Sequence, residues 1–193
     1  MRTFFLKSVL IGSLLWSENG IGQVQFQEIA QQLGIEHMHL SNEFIGGGVA
    51  IFDFNNDGLQ DIYLTGGDLP DKLLKNVGNF QFQDVSASSG IASIVNEGSV
   101  GVTTGDIDND GYRDVLVTGD RNYSSKLIRN NGNGTFTELV SAINDGDDWK
   151  SAASFGDIDQ DGFLDVYIGS YVDHVGFILD NNNQIIGFEH KCS

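Results

Sequence analysis

The chain has 193 residues and a formal net charge of −17, with 10 Lys and Arg against 27 Asp and Glu. The few basic residues are scattered, so the clustered positive charge that a nucleic-acid partner requires is missing. A hydrophobic content of 40 % with 25 glycines and 1 proline favours a folded chain with many tight turns over a disordered one.

The N-terminus has the pattern of an export signal. Arg2 and Lys7 accompany a short apolar run over residues 8–16, and Gly20-Ile21-Gly22 offers small residues for cleavage. The run is too short to span a bilayer, and the alternative is a buried first strand or helix. We therefore predict a signal peptide over residues 1–22, a repeat region over 23–193, no membrane span, and a secreted, periplasmic or cell-surface location.

Helical periodicity is nearly absent from the chain. Only Glu28 to Leu33 and Ala87 to Ile91 favour a helical turn. Between them, His37 and His39 have a spacing that could bind a metal, although two incidental loop histidines are the favoured interpretation. The single cysteine, Cys192, has no partner in this sequence.

One acidic motif recurs three times, at Asp53 to Asp61, Asp106 to Asp114 and Asp157 to Asp165. The intervals are 53 and 51 residues, and the three copies, here called the first, second and third acidic loops, hold eleven of the 27 acidic residues. Each follows an apolar or small run and precedes a β-branched and aromatic run, which are strand compositions. The motif Lys72-Leu-Leu-Lys-Asn76 follows the first loop, and Lys126-Leu-Ile-Arg-Asn130 follows the second. The order predicts an all-β protein built from propeller-type blades of four antiparallel strands.

The loops have the composition of calcium sites. Their first, third and fifth residues carry short oxygen side chains, the sixth is the glycine of a sharp turn, the seventh offers a backbone carbonyl, and the ninth is again Asp. Hard oxygen ligands without Cys or His favour Ca²⁺ over Zn²⁺ or Cu²⁺. The predicted ligands are Asp53, Asn55, Asp57, Leu59 and Asp61, then Asp106, Asp108, Asp110, Tyr112 and Asp114, and finally Asp157, Asp159, Asp161, Phe163 and Asp165.

An EF-hand is excluded although the loops begin like one. That motif needs a bidentate Glu at its twelfth position and a helix on each side. The twelfth residues here are Leu64, Val117 and Ile168, and strands are predicted on both sides. Asn55 leaves the first loop with one negative charge fewer, so we expect it to bind more weakly.

The segments Gly46 to Leu64 and Lys126 to Phe136 resemble the FG-GAP/VCBS repeat of integrin α-subunit propellers, and especially repeat proteins of the cartilage acidic protein or ASPIC/UnbV type. The resemblance covers Phe26 to about Tyr171. It implies a propeller, commonly seven-bladed, with Ca²⁺ in the loops, extracellular adhesion or ligand binding, and no catalytic residues. About three blades fit this length, so we expect an incomplete ring, either as an N-terminal fragment or as copies that close a ring together.

The sequence therefore predicts an exported, non-enzymatic calcium-binding module with an unidentified extracellular protein or carbohydrate ligand. The alternative is a non-catalytic propeller portion of a larger secreted enzyme, such as one that acts on polysaccharides. A purely structural surface repeat is a third possibility. The fold by itself does not choose among them.

Overall fold

The computed structural model describes residues 10–11, 26–41, 46–146, 148–172, 175–179 and 185–190. Most of the predicted signal peptide and Cys192 lie outside this part of the chain. The strands are β1 (Leu10–Ile11), β2 (Phe26–Gln27), β3 (Val49–Phe52), β4 (Asp61–Leu64), β5 (Lys72–Asn76), β6 (Phe82–Asp84), β7 (Ser99–Gly105), β8 (Asp114–Gly119), β9 (Lys126–Asn130), β10 (Phe136–Glu138), β11 (Trp149–Gly156), β12 (Asp165–Val172), β13 (Val175–Leu179) and β14 (Ile185–His190).

Two four-stranded antiparallel sheets confirm the predicted blades. Strands β3 to β6 form the first unit and β7 to β10 the second, each paired in simple sequence order. In each unit an acidic loop connects the first strand to the second, and the Lys-Leu-Leu-Lys-Asn motif or its Lys-Leu-Ile-Arg-Asn counterpart is the third strand. The predicted strand order is therefore correct for both units.

The third unit has two strands in the described part of the chain. Strands β11 and β12 pair antiparallel around the third acidic loop, with register shifts near Lys150. Strands β13 and β14 form a separate hairpin. The described residues therefore make two full blades and the inner half of another, and they do not close a ring.

Both predicted helical turns are present, and the second is longer than expected. A 3-10 turn spans Ala30–Leu33, whereas two short helices, α1 (Ser86–Ser89) and α2 (Ile91–Ile94), cover the region of the other. Gly90 ends α1 with a φ of 89°, a conformation that a side chain would disfavour, and so allows α2 to start in a new direction. No described helix has the length and apolarity needed to cross a bilayer.

The main core lies between the first and second units. It combines apolar side chains of β3, β4, β5 and the first acidic loop with α2 and the facing side chains of the second unit. Burial of these side chains drives the two sheets together. The core residues are Phe52, Phe54, Tyr63, Leu73, Ile91, Val95, Val115, Val117, Ile128 and Phe136.

A second cluster covers the opposite face of the first unit. There Ile62, Leu64 and Leu74 pack with Ala30 and Ile35 of the segment that precedes the sheet. Upstream of this segment, β2 pairs with β1. The first unit is thus covered on both faces, by the N-terminal segment on one and by the second unit on the other.

The innermost strands of successive units approach closely because glycine stands at the contact. A Cβ on Gly48 would lie 2.9 Å from the backbone of Gly101, and one on Gly101 would lie 2.8 Å from the carbonyl oxygen of Ser151. Thr65 strengthens the first of these joints, since its hydroxyl accepts from the Gly48 amide and donates to the carbonyl of Val100. The joints hold the three acidic loops side by side.

Candidate metal site in the acidic loops

Each acidic loop is organised by its first aspartate. In the first loop the amides of Asp57 and Gly58 donate to the two oxygens of Asp53, over 3.1 and 2.7 Å. Asp106 of the second loop and Asp157 of the third accept from the equivalent amides. The carboxylate thereby bends the chain back on itself, as short Asp side chains commonly do in turns.

The predicted glycine reversal is confirmed in all three loops. Gly58, Gly111 and Gly162 have φ values of 84°, 89° and 91°, the left-handed region that a Cβ disfavours. Sequence reasoning missed a second left-handed residue two positions earlier, at Asn56, Asn109 and Gln160. Asn adopts the left-handed conformation more readily than most residues. Its presence at this position in two of the three loops could have predicted the second left-handed residue.

The fifth-position aspartates bond to the seventh-position amides. Asp57 accepts from the Leu59 amide, and Asp110 and Asp161 accept from the amides of Tyr112 and Phe163. The Leu59 amide is the main cause that lowers the pKa of Asp57. The seventh-position carbonyls remain predicted ligands.

The ninth-position aspartates are structural anchors as well as predicted ligands. One oxygen of Asp61 accepts from the amide of Phe54 within the loop, and the other accepts from the amide of Asn76 on β5. Asp114 accepts from Ile107 and Asn130 in the same way. Each carboxylate therefore ties its loop to the third strand of its own sheet.

Burial raises the pKa of these two anchors, against the lowering effect of the amides that they accept. Neighbouring loop aspartates raise the pKa of both further, so added positive charge in the loops would favour ionisation. Asp165 of the third loop accepts from the Ile158 amide and is exposed, whereas Asp61 and Asp114 are fully buried. Asp61 and Asp114 are buried where they meet the third strand of their own sheet, at the amides of Asn76 and Asn130.

Two loops bring carboxylates together at the spacing of a single cation. One oxygen from each of Asp106, Asp108 and Asp114 lies within 4.8 Å of the others, and the equivalent trio Asp157, Asp159 and Asp165 does the same. Calcium–oxygen distances of 2.3–2.6 Å place opposite ligands about 5 Å apart. The donor set therefore fits Ca²⁺. In the first loop, Asn55 stands at the third position and donates to Asp57.

Cationic side chains of the third strands also contact the loops. Arg129 Nε lies 2.8 Å from Asp108 Oδ2, and its Nη2 lies 3.6 Å from Asp110 Oδ2. Lys75 occupies the equivalent place in the first unit, 3.4 Å from Asp57. Sequence reasoning gave these residues no role, although their equal position within the two repeated strand motifs was a signal. They offset part of the acidic charge of the first two loops.

The two histidines have a structural role in the described structure. His37 Nε2 and His39 Nδ1 lie 2.8 and 3.0 Å from the carbonyl oxygen of Thr65. Since a carbonyl only accepts, both rings donate to it. Burial is the main cause that lowers the pKa of His37. These hydrogen bonds favour the interpretation of His37 and His39 as two incidental loop histidines over a His-x-His metal site.

Comparison with known proteins agrees with this architecture. The sequence profile of the FG-GAP-like repeat matches residues 53–117 and again 106–168, which together exceed half of the chain. The chain is also 28 % identical over 123 residues to cartilage acidic protein 1 of Xenopus tropicalis. That similarity covers 62 % of this chain and 18 % of the relative, so the chain spans less than a fifth of the relative's length.

Proposed function

Because this chain belongs to the FG-GAP-like repeat family, we propose that it is a non-enzymatic binding module of an exported protein, stabilised by Ca²⁺ in its acidic loops. Its partner would be an extracellular protein or carbohydrate. The family membership supports a propeller-type binding or adhesion module. The proposal adds calcium binding and export to this family role. The clustered carboxylates of the acidic loops support calcium binding.

The convergence of carboxylates is the observation that carries the calcium proposal. In the second loop Asp106, Asp108 and Asp114 direct oxygens toward a common point, and the third loop repeats this with its own three aspartates. Like charges at such distances repel, and a divalent cation would replace the repulsion by coordination. Asp110 and the carbonyl of Tyr112 would complete the second site.

Calcium in these loops would act on stability. Each loop joins the first two strands of its sheet, and its ninth residue reaches the third strand in the first and second units. An ion bound by the folded loop and not by the unfolded chain adds its binding free energy to the free energy of unfolding. The ion would thus hold each blade together and leave the propeller surface for a partner.

Titration calorimetry of metal-free protein tests the proposal directly. We expect Ca²⁺ to bind at more than one site and to raise the melting temperature, and EDTA to reverse the rise. Mg²⁺, which keeps several of its waters, serves as the comparison ion and should bind more weakly. A folded sample that takes up no Ca²⁺ would remove the metal from the proposal.

A variant assigns binding to a particular loop. Asp110→Ala removes an oxygen of the second loop and should reduce the stoichiometry by one ion. Asp84→Ala, at the end of β6 and outside the loops, is the matched control and should leave the stoichiometry unchanged. An unchanged stoichiometry in Asp110→Ala would exclude the second loop as a site.

A further inference from the structure

A cavity lies at the end of the first sheet that is remote from its acidic loop. It has a volume of about 1110 Å³ and is bounded by the N-terminal segment, the loop before β5, the end of β6 and the helices α1 and α2. The acidic loop meets β4 at Asp61, whereas Leu64 at the other end of β4 pairs with Lys72 beside the cavity. The cavity is large enough for a small organic ligand.

Negative charge predominates on the cavity wall. Among the described lining residues, the carboxylates of Glu28, Glu36 and Asp84 accompany a single ammonium, that of Lys72. A fourth carboxyl group, that of Asp71, also lines the cavity and is fully buried. Like charges that share a concave wall repel one another and attract a cation.

Lys72 is already committed to the wall. Its ammonium donates to the carbonyl oxygen of Glu36 over 3.0 Å and lies 3.7 Å from Asp84 Oδ2. Lys72 and Asp84 therefore neutralise each other. The carboxylates of Glu28 and Glu36 have no cationic partner within the described part of the chain.

The equivalent cavity of the second unit has no such excess of negative charge. Lys126 and Glu138, which correspond to Lys72 and Asp84 in the repeat, line a cavity of about 470 Å³ there. They are the only charged residues that the described structure places on its wall, and they form an ion pair of 3.7 Å. The surplus carboxylates of the first cavity thus come from outside the repeated strands.

His37 adds a hydrogen-bond acceptor to the first cavity. Its Nε2 donates to the carbonyl of Thr65, so Nδ1 carries the lone pair of the neutral ring. Burial is the main cause that lowers the pKa of His37, which favours this neutral form. Nδ1 is buried and has no hydrogen-bond partner among the described residues. A buried acceptor of this kind favours a ligand that donates over one that only accepts.

The remainder of the wall is mainly aliphatic. Ile35, Met38, Leu69 and Pro70 line it together with alanines of the N-terminal segment and the two helices. No phenylalanine, tyrosine or tryptophan stands among the described lining residues, so the wall has no aromatic face on which a sugar ring could stack. Methylene groups, in contrast, would bury apolar surface there.

We propose that this cavity binds an aliphatic primary ammonium group, with Glu28 and Glu36 as its counter-ions. The ammonium would donate to the two glutamates, while its methylene stem would pack against Ile35 and Met38. A lysine side chain of a partner protein and a free diamine both have this chemistry. The site depends on neither calcium nor export, and so goes beyond the proposed function.

Saturation-transfer NMR of the intact protein tests the site by observing the ligand. The probes are Nα-acetyl-lysine methylamide, which mimics a lysine of a partner protein, and cadaverine, a free diamine. Nα-acetyl-norleucine methylamide has an aliphatic stem without the ammonium and is the control ligand. We expect an amine to bind at least about fivefold more tightly than the norleucine derivative. The tighter of the two amines identifies the source of the ammonium.

Paired glutamine substitutions locate the binding. Glu28→Gln with Glu36→Gln keeps the size of both side chains and removes both charges, so the Kd of the amine should rise at least about fivefold. Glu97→Gln with Glu138→Gln removes the same charge from the second unit and is the matched control, with an expected change of less than about twofold. The norleucine comparison uses the unaltered protein and does not depend on how any variant folds.

Four results would overturn the inference. Equal binding of the norleucine derivative would show that the cavity takes apolar groups only, and no saturation transfer to either amine would exclude the site. An unchanged Kd in the Glu28 and Glu36 variant would place the amine elsewhere. An equal rise in the control variant would reduce the effect to net charge. Because no metal is added, none of these results bears on Ca²⁺ uptake.

Discussion

The side chain of Asn130, on β9 of the second unit, donates a hydrogen bond of 2.7 Å to the carbonyl of Phe54 in the first acidic loop. The same amide group contacts the carbonyl of Arg113, while the backbone amide of Asn130 donates to Asp114. One buried asparagine therefore connects two neighbouring acidic loops. The hydrogen bonds of Asn130 thus join the second unit to the first at their loops.

Replacement of this residue should weaken the joint. Asn130→Ala leaves the carbonyl of Phe54 buried without its donor, a loss that typically costs about 1–3 kcal/mol. Asn76→Ala is the matched control, because the Asn76 side chain donates to Gln60 and accepts from the Gly78 amide, both within its own unit. Urea unfolding of both variants checks the prediction. Equal losses would show that the contact across the joint adds nothing.

A methyl group between the inner strands should also destabilise the protein. In Gly101→Ala the added Cβ would meet the carbonyl oxygen of Ser151 at 2.8 Å and the hydroxyl of Thr118 at 2.9 Å. Overpacking against a backbone atom costs about 1–3 kcal/mol. Gly156→Ala, where a Cβ would meet nothing within 4 Å, should be close to neutral. Thermal melts of the two variants would show the difference, and a neutral Gly101→Ala would mean that the strands can separate without loss.

Asp71 should make stability fall as pH rises. Burial raises the pKa of Asp71 to about 6 despite hydrogen bonds from Ser99, Gly66 and Tyr63. The folded pKa of Asp71 exceeds its ordinary value of 3.8, so the folded state binds more protons than the unfolded state between pH 3.8 and about 6. The stability that the protonated Asp71 contributes is therefore lost as pH rises through this range. The loss amounts to about 2–3 kcal/mol. Asp71→Asn, which keeps the shape and can donate to Tyr63, should flatten the dependence between pH 4 and 6.

Asp84 serves as a control, because its pKa is shifted in the opposite direction to that of Asp71. Burial raises its pKa, but the hydroxyl and amide of Ser86 together with the ammonium of Lys72 outweigh that effect and leave the pKa of Asp84 below its ordinary value. Its contribution is therefore present above the ordinary pKa and lost as pH falls. Asp84→Asn should lower stability at neutral pH and leave the loss between pH 4 and 6 in place. Chemical unfolding at several pH values distinguishes the variants; identical profiles would contradict the assignment to Asp71.

Arg129 should compete with a cation in the second loop. Its guanidinium lies against Asp108 and Asp110, so Arg129→Gln removes a positive charge that would repel Ca²⁺ bound in the loop. Exposed ion pairs contribute about 0.2–1 kcal/mol, so we expect a 2- to 5-fold rise in Ca²⁺ affinity and a comparable loss of metal-free stability. Arg121→Gln, at an exposed arginine after β8, is the control. Calorimetry would contradict the prediction if affinity fell in Arg129→Gln.

The periodic parts of this protein could be predicted from sequence because their causes are local. The glycine at the sixth loop position, the aspartate at the first and the β-branched runs after each loop depend on backbone sterics and short hydrogen bonds within a few residues. These same causes place the acidic loops between the first two strands of each unit. The helical region was predicted too short because Gly90 lets a second helix begin where a simple turn was expected.

The contacts between units could not be predicted in this way because they join residues far apart in the chain. Asn130 contacts Phe54 across 76 residues, and Asn109 contacts Gly162 across 53. Nothing in either local sequence specifies the partner. Sequence alone therefore determined the repeats, the blades and the acidic loops, whereas tertiary structure decided that the ninth-position aspartates anchor a third strand and that Arg129 faces a loop. The physical reason is that burial and long-range hydrogen bonds exist only once the sheets have packed.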